Sequence, residues 1–410
     1  MSSFLKRYLG GDIVIWFVFF ALCVFSIIEL YSASSQLAYK ANSYVSPVLR
    51  HVIFLAVGIA AAFGIHLIPS KVIRLLAYLG LAASIALLAA VLLFGETTNE
   101  AQRLLKVGPI KFQPSELAKL SLVIFAADML SRIKDNRKEE KRIFWWLMGV
   151  SAVICILIFF ENFSTAALLF LIVLIMCFIQ KVSWRRLLTV VLIVFTALVT
   201  GFALMWNIPE GTKLPKRLDR AHTWVKRVKE FSKETDKATK YVMTDDNRQP
   251  LNGKIAIARG GTLGVFPGNS VQRDYLAQAY SDFIFAIMIE ETGILGAFGV
   301  IILYLVLMFR AGIIATRSRQ VFPAMLVMGL SLIIVIQAFI HMAVVTGIIP
   351  VTGQPLPIIS RGGTSIIVTC IYFGIILGVT RSTIKDRQED GELAAQKYST
   401  NAPEVKLDEL

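Results

Sequence analysis

The sequence is poor in the residues that build disulfide scaffolds, metal centres and soluble domains. It has four cysteines in 410 residues, and no pair has the spacing of a zinc site or a redox motif. Charged residues make up only 17% of the chain, and neither a P-loop nor a dinucleotide-binding fingerprint occurs. These absences argue against a disulfide-rich domain, a structural zinc protein and a nucleotide-dependent soluble enzyme.

Apolar sequence is what the chain has in excess. Hydrophobic residues make up 56% of it, and the mean hydropathy is +0.67. A helix needs about 20 apolar residues to cross a bilayer. The sequence therefore predicts an all-α polytopic membrane protein with about ten transmembrane helices. The apolar runs are Ile13 to Leu30, Val52 to Ile68, Leu75 to Phe94, Leu117 to Leu130, Phe144 to Phe160, Phe163 to Ile179, Leu187 to Trp206, Phe283 to Phe309, Val321 to Thr346 and Ser365 to Val379.

The short loops carry an orientation signal. Lys and Arg cluster in every second connection, which predicts cytoplasmic loops there and places both termini in the cytoplasm. These clusters account for the net charge of +14, so no nucleic-acid partner is expected. The first run follows Lys6 and Arg7 and would also suit a cleaved signal peptide, but its length and the many later spans favour a retained helix.

The predicted membrane domain covers residues 1–385 and includes one long outer loop, 207–281, between the seventh and eighth spans. Residues 213–240 of this loop mix basic and apolar side chains, as a helix on an anionic membrane surface does. Residues 260–272 are rich in glycine and are expected to be irregular. Residues 386–410 are polar and are expected to form a disordered cytoplasmic tail.

Ionisable residues at the edges of apolar spans are costly, which makes each of them a functional candidate. Gln113 to Glu116 open the fourth span, and Lys119 lies on the same helix face as Glu116. A structural ion pair explains these residues as well as a functional site does. Asp282 opens the eighth span, where a helix cap and a general base beside an apolar cavity are the alternatives. The residues alone favour the cap.

Two further groups follow Asp282. Glu290 and Glu291 lie about 12 to 14 Å deeper along the same helix, and they are expected to pair with polar groups of neighbouring helices. A proton or ion pathway is the functional alternative. The loop before the last span, 350–365, ends in Gly362-Gly363-Thr364-Ser365. It suits either an anion site at a helix start or a tight turn.

Three motifs occur in order across residues 10–385. They are Ala101-Gln102-Arg103 with Phe112 to Lys119, Ser281 to Ala286 with Glu290-Glu291, and Thr352 to Ser365. In a ten-span chain they resemble the SEDS family (shape, elongation, division and sporulation) of peptidoglycan glycosyltransferases. Residues 268–272 resemble its division-type FtsW branch more than its elongation-type RodA branch. Asn162, His341 and Arg361 depart from the residues usual in the family, so no role is transferred to them.

The resemblance implies polymerisation of lipid II into glycan strands on the outer face of the bacterial cytoplasmic (inner) membrane, during septal cell-wall synthesis. It makes Asp282 the general base of an inverting glycosyl transfer, with undecaprenyl pyrophosphate as the leaving group. No organic cofactor is expected, and Mg²⁺ or Mn²⁺ is a candidate for stabilising the pyrophosphate. The residues expected to bind substrate are Arg103, Lys111, Gln113, Glu116, Lys119, Arg217, Arg220, Ser270, Gln272, Ser360, Thr364 and Ser365.

The expected partners are lipid II, the undecaprenyl-pyrophosphate-linked glycan, membrane lipid, divisome proteins and a class B penicillin-binding protein. Other readings remain open at this point. A lipid II flippase or proton-coupled transporter would use Glu290 and Glu291 at the bilayer midplane. An elongation-type polymerase would share the chemistry, and a non-catalytic scaffold would have no use for Asp282.

Overall fold

The computed structural model describes residues 10–35, 39, 45–94, 96–98, 101–107, 110–133, 136–206, 225, 227, 243, 247–276 and 279–400. Each apolar run named above forms a helix, so the helical membrane architecture is confirmed. Among the described residues of the long outer loop, 248–260 form one additional helix, α8. The helices are α1 Ile13–Ala33, α2 Val45–His66, α3 Ser70–Phe94, α4 Pro114–Ser131, α5 Arg137–Glu161, α6 Phe163–Ile179, α7 Trp184–Trp206, α8 Arg248–Gly260, α9 Ile284–Arg317, α10 Val321–Val345 and α11 Gly363–Thr400.

Eight of the described helices are long and apolar enough to cross a membrane. The other two predicted spans are α6, which has 17 residues, and α4, which carries Glu116, Lys119 and Asp128. All three charged residues of α4 are buried in the bundle. A helix enclosed by other helices can hold charges that lipid would not tolerate, because neighbouring side chains pair with them.

A small antiparallel sheet lies between α3 and α4, and the sequence did not predict it. Its strands are β1 Glu96–Thr98, β2 Ala101–Val107 and β3 Ile110–Phe112, in the order β1-β2-β3. Arg103 lies in β2 and Lys111 in β3, where Lys111 pairs with Lys106. β1 and β3 have three residues each, too few for an alternating pattern, and the seven residues of β2 do not alternate between apolar and polar. Pairing between the strands supplies the stability that each lacks alone.

Glycines allow α2 and α11 to pack closely. A Cβ at Gly374 would lie 2.6 Å from the carbonyl oxygen of Ala62, and one at Gly58 would lie 2.8 Å from the sulfur of Cys370. Association of helices in a membrane depends on such close contact, because lipid offers no hydrophobic driving force between them. Helix α7, in contrast, packs little against the other described helices, since Val190 is its one buried residue.

The segment 248–276, here called the α8 hairpin, packs along the first part of α9. Its turn reaches Gly293, nine residues beyond the start of α9 and therefore about 14 Å into the bundle. Gly293 has φ 68° and breaks the helix. The N–H of Val265 donates to the carbonyl of Glu290 over 2.9 Å, and the N–H of Ile294 donates to Gly261 over 3.0 Å. The hairpin thus satisfies the backbone groups that the break releases.

The structure describes part of the C-terminal polar tail but little of the polar segment in the outer loop. The tail was expected to be disordered from residue 386, but α11 continues as a helix to Thr400, so this expectation is corrected for 386–400. These residues contain no proline and many Glu, Gln, Ala and Lys residues, which favour helix. The amphipathic segment 213–240, including Arg217 and Arg220, lies outside the described residues apart from Val225 and Arg227.

Candidate active site

The α10–α11 loop (residues 350–362) meets the start of α9 at the end of the bundle that the charge pattern predicts to face outward. The Ser360 hydroxyl donates to the carbonyl of Ser281 over 2.8 Å, and the Arg361 N–H donates to the carbonyl of Tyr280 over 2.9 Å. These two bonds hold the chain immediately before Asp282 against the loop. The irregular backbone is enclosed by helices, as polar backbone at membrane depth requires.

Asp282 is half-buried between this loop and α9. Its Oδ1 accepts a hydrogen bond from the Ser281 hydroxyl over 3.0 Å. A Cβ placed on Gly353 would lie 3.6 Å from its Oδ2, so the loop faces the carboxylate at a position without a side chain. The residue at the N-cap of α9 is Phe283, without a side-chain cap. Asp282 therefore lies one residue before the N-cap position, so the structure does not show it as the helix cap.

Glu116 and Lys119 form the ion pair that their spacing predicted. Lys119 Nζ lies 2.9 Å from Glu116 Oε1, and the two side chains are 2% and 5% exposed. Lys119 also donates to Gln337 Oε1 over 3.2 Å, and Gln337 Nε2 donates to the carbonyl of Pro355 over 2.9 Å. The pair therefore anchors the α10–α11 loop through Gln337. Its burial gives it a structural role and leaves little room for direct contact with a substrate.

The loop has a second anchor on α6 and α10. Gln354 Nε2 donates to Thr165 Oγ1 over 2.6 Å, and the Gln354 carbonyl lies 2.7 Å from His341 Nδ1. Asn162 Oδ1 in turn caps α6 by accepting from the Thr165 N–H over 3.4 Å. An amide oxygen performs this cap as a carboxylate would. Asn162 and His341, which depart from the family pattern, thus hold the loop.

Arg361 supplies positive charge against Tyr280, two residues before Asp282 in the chain. Its guanidinium lies over the ring of Tyr280, 5.4 Å from the centroid. Partial burial lowers the pKa of Arg361, Tyr280 opposes this effect, and the positive charge of Arg50 lowers the pKa further. The group remains charged because an arginine titrates far above neutral pH. The sequence singled out Arg361 only as a departure from the family pattern. It did not identify Arg50, although an arginine at the outer end of an apolar helix was a signal that could have revealed this residue.

Glu290 and Glu291 are fully buried and hold the α8 hairpin. Glu290 accepts from the Ser270 hydroxyl and, over 3.2 Å, from the Gln272 N–H. Glu291 accepts from the Ser32 hydroxyl of α1. The sequence placed Ser270 and Gln272 among the substrate-binding residues, whereas their contacts here are with Glu290, deep along α9. The pairing of Glu291 with a neighbouring helix is as predicted.

Four further predicted residues lie around the same end of the bundle. Gln113 precedes α4 and donates to the Ser115 hydroxyl over 3.0 Å. Thr364 and Ser365 lie half-buried in the first turn of α11. Ser360 is 2% exposed, and its hydroxyl is engaged within the protein. Thr364 and Ser365 thus remain accessible to a ligand, while Ser360 holds the loop.

No group of three or more His, Cys, Asp and Glu side chains in the described part of the chain is arranged to hold a metal ion. Asp282 offers one carboxylate, and a magnesium or manganese ion held by protein alone needs several oxygen ligands. The side chains described here therefore do not fit a divalent cation held by the protein alone.

The profile of the cell cycle protein family of FtsW, RodA and SpoVE matches residues 12–385. The chain belongs to this family. Relatives include a probable peptidoglycan glycosyltransferase FtsW of Hahella chejuensis, 31% identical over 387 residues, with 91% of this chain and 90% of the relative covered. The peptidoglycan glycosyltransferase MrdB of Escherichia coli K12 is 28% identical over 378 residues, with 88% and 91% covered.

Solved structures of the family share this fold. A chain from a peptidoglycan synthase complex superposes with a TM-score of 0.69 at 24% identity, covering 91% of this chain and 98% of that one. The rod shape determining protein RodA of Thermus thermophilus superposes with a TM-score of 0.64 at 23% identity, covering 92% and 99%. The matches span the membrane helices and the loops that carry Asp282, which confirms the SEDS resemblance across nearly the whole chain.

Proposed function

We propose that this protein is a peptidoglycan glycosyltransferase that polymerises lipid II, with Asp282 as the general base. The observation that supports this most directly is the position of Asp282, a half-buried carboxylate between α9 and a loop that is anchored from four helices. Relatives on both branches, FtsW and MrdB, are named peptidoglycan glycosyltransferases, which supports the same reaction here. The higher identity to FtsW relatives favours a role in septal cell-wall synthesis.

The proposed reaction is an inverting displacement at the anomeric carbon of the donor sugar. Asp282 accepts the proton of the acceptor sugar's 4-hydroxyl as the oxygen forms the new glycosidic bond. The bond from the anomeric carbon to the pyrophosphate oxygen breaks, and undecaprenyl pyrophosphate leaves with the electron pair. A single carboxylate is sufficient because pyrophosphate needs no protonation to depart.

Positive charge near Asp282 stabilises the departing pyrophosphate. Arg361 lies beside the residue that precedes Ser281, and Arg50 is close enough to affect its pKa. Fixed cations at a partly desolvated site stabilise developing negative charge more than they would in water. Arg361 and Arg50 therefore join Arg103, Lys111, Arg217 and Arg220 as candidates. The same arginines would orient the lipid-linked donor.

The proposed location is the bacterial cytoplasmic membrane at the division septum, with Asp282 on the outer face, where a lipid-linked substrate carries its own activated bond. Proposed partners are a class B penicillin-binding protein and divisome proteins. A related chain belongs to a synthase complex that coordinates polymerisation and crosslinking. We propose that any Mg²⁺ or Mn²⁺ that the reaction requires is bound to the pyrophosphate of the substrate and enters the site with it.

The transporter alternative depended on Glu290 and Glu291 as membrane-embedded carriers of protons. Glu290 accepts three hydrogen bonds from the α8 hairpin, and Glu291 accepts from Ser32 and from the Ser270 N–H. Carboxylates engaged in this way stabilise the hairpin, which supports a structural role for both residues over a role in transport.

The test is formation of glycan polymer from purified lipid II, with the wild type and Asp282→Asn in the same detergent. Each preparation is assayed with and without a class B penicillin-binding protein and with Mg²⁺, Mn²⁺ or EDTA. Asp12→Asn is the matched control. Asp12 is also half-buried, and asparagine can still cap α1 as Asp12 does through the Val14 N–H. The change also removes a carboxylate that pairs with Arg310, so it controls for the loss of a partly buried charge outside the α10–α11 loop.

We expect polymer from the wild type and Asp12→Asn, and at least a 100-fold lower rate from Asp282→Asn, a loss typical of a missing general base, about 10²–10⁴-fold. Equal rates for folded wild type and Asp282→Asn would remove Asp282 from the role of base. Failure of the wild type to polymerise under every condition, with lipid II translocation in liposomes, would replace the polymerase by a transporter.

A further inference from the structure

The α10–α11 loop contains a strained residue that the proposed reaction does not explain. Ile358 has φ 67° and is 2% exposed. A β-branched residue is an outlier in the left-handed region, because its side chain collides with its own backbone there. Such a conformation persists only where the surroundings impose it, and it is concentrated at functional sites. The contacts that impose it on Ile358 therefore indicate what the turn is for.

Side chains from three distant helices hold the carbonyls of this turn. The Tyr304 hydroxyl of α9 donates to the Pro357 carbonyl over 2.7 Å. The Ser26 hydroxyl of α1 donates to the Ile358 carbonyl over 2.7 Å, and His51 Nε2 of α2 lies 2.8 Å from Ser26 Oγ. All these side chains are buried.

The donors in this chain can be assigned by elimination. The hydrogen of Ser26 Oγ points to the Ile358 carbonyl, so His51 must donate from Nε2 to the remaining lone pair of the hydroxyl oxygen. His51 Nδ1 is buried and meets no hydrogen-bond partner among the described residues. A second proton there would lack an acceptor, so the neutral imidazole fits. The result is a fixed relay of two hydrogen bonds from His51 through Ser26 to Ile358.

The strained turn is connected directly to the base. Two residues after Ile358, the Ser360 hydroxyl accepts from the Leu356 N–H over 2.7 Å and donates to Ser281 over 2.8 Å. A turn that relaxed to negative φ at Ile358 would rotate the Ser360 side chain away from Ser281. Asp282 would then lose the contact that fixes the backbone before it.

We infer that Ser26 and His51 are positioning residues for the glycosyl transfer: they hold Ile358 in its strained conformation and thereby keep the Ser360–Ser281 contact that aims the Asp282 carboxylate. This inference rests on the proposed function for its kinetic consequence. Its structural part, the hold on the turn, stands without that function.

The experiment compares four variants of the full-length protein: Ser26→Ala, His51→Leu, Ile358→Gly and the double variant Ser26→Ala/Ile358→Gly. Ser84→Ala is the matched control, since Ser84 is equally buried and donates only to Gly80 of its own helix. Polymerisation yields kcat and KM. Hydrogen–deuterium exchange of residues 356–361 reports the turn whether or not the preparation polymerises lipid II.

We expect Ser26→Ala to lower kcat about ten-fold or more with KM changed less than three-fold, since a displacement of about 1 Å costs up to 100-fold. Exchange at Ser360 and Arg361 should rise. Glycine adopts positive φ without strain, so the double variant should regain most of the lost kcat. His51→Leu should act in the same direction more weakly, and it carries the test if Ser26→Ala does not fold.

The inference is overturned if Ser26→Ala and His51→Leu keep kcat within two-fold of the wild type and leave exchange unchanged. It is also overturned if the double variant shows the sum of the two single losses, because then the hydroxyl does not act through the turn. An inactive wild type would contradict the proposed function instead. Hydrogen–deuterium exchange of the turn would still show whether Ser26 and His51 hold Ile358 in its strained conformation.

Discussion

Removing Lys119 should destabilise the protein strongly, because its ion pair with Glu116 is buried. Both side chains are at most 5% exposed, and the charged atoms are 2.9 Å apart. Lys119→Met keeps most of the volume but leaves the Glu116 carboxylate without its cation. Breaking a buried pair from one side costs about 3–5 kcal/mol, mainly through the uncompensated charge.

The double variant Glu116→Gln/Lys119→Met separates charge from packing. It removes both charges, so the large penalty should disappear. What remains is the lost donor to Gln337 Oε1, which leaves a buried acceptor unpaired and costs about 1–3 kcal/mol. The double variant should therefore be more stable than Lys119→Met, although it contains one more substitution.

The assay is unfolding of detergent-solubilised protein by titration with sodium dodecyl sulfate, followed by circular dichroism. Lys71→Met is the control because Lys71 is exposed, and it should change the free energy of unfolding by less than about 0.5 kcal/mol. A loss below 1 kcal/mol for Lys119→Met, or equal losses for the single and double variants, would refute the assignment of a desolvated ion pair. In that case Lys119 would be free to contact the substrate.

Two further predictions concern the α8 hairpin. Gly293→Ala should lower the free energy of unfolding by at least about 2 kcal/mol and reduce the folded yield, because φ at this position is positive and the new Cβ would collide with the Thr262 carbonyl. Gly299→Ala on the same helix is the control and should be tolerated, since its Cβ would meet nothing within 4 Å. Equal yields of the two variants would contradict this prediction. Ser270→Ala should lose about 1–3 kcal/mol in detergent unfolding, since Glu290 loses a donor, while the polymerisation rate per folded molecule stays within two-fold. A large fall in that rate with unchanged stability would return Ser270 to substrate binding.

Local pattern predicted the spans well, because a membrane helix satisfies its own backbone and needs only about 20 apolar residues in a row. It also predicted the Glu116–Lys119 pair, whose partners lie within one helix turn. The sheet between α3 and α4 and the helix α8 were not predicted, since their stability comes from contacts outside each segment. The helical extension to Thr400 was missed because a polar composition was taken as a sign of disorder.

The sequence singled out Asp282 but little of what surrounds it, and the role of Asp282 as general base stays a prediction. Asp282 stood out through its motif. The anchors of the α10–α11 loop did not, because Gln337, Thr165 and Ser26 lie on helices, and the last of them is 332 residues from its partner in the loop. Ser360 and Ser270 were read as ligand contacts because a hydroxyl in a polar motif has the same appearance in sequence whether it binds a substrate or a neighbouring backbone group.

The break at Gly293 constrains how the protein is made. The backbone around this residue leaves carbonyl and N–H groups that α9 cannot pair by itself, and their partners at Gly261 and Val265 are synthesised earlier in the chain. Exposing such groups to hydrocarbon costs several kcal/mol each. Insertion of α9 and docking of the α8 hairpin must therefore be coupled. Deleting or displacing the hairpin would leave backbone groups of α9 unpaired and so disfavour its insertion into the membrane. A defect in the hairpin, an outer-loop element, would therefore appear as a defect in the assembly of a membrane-spanning helix.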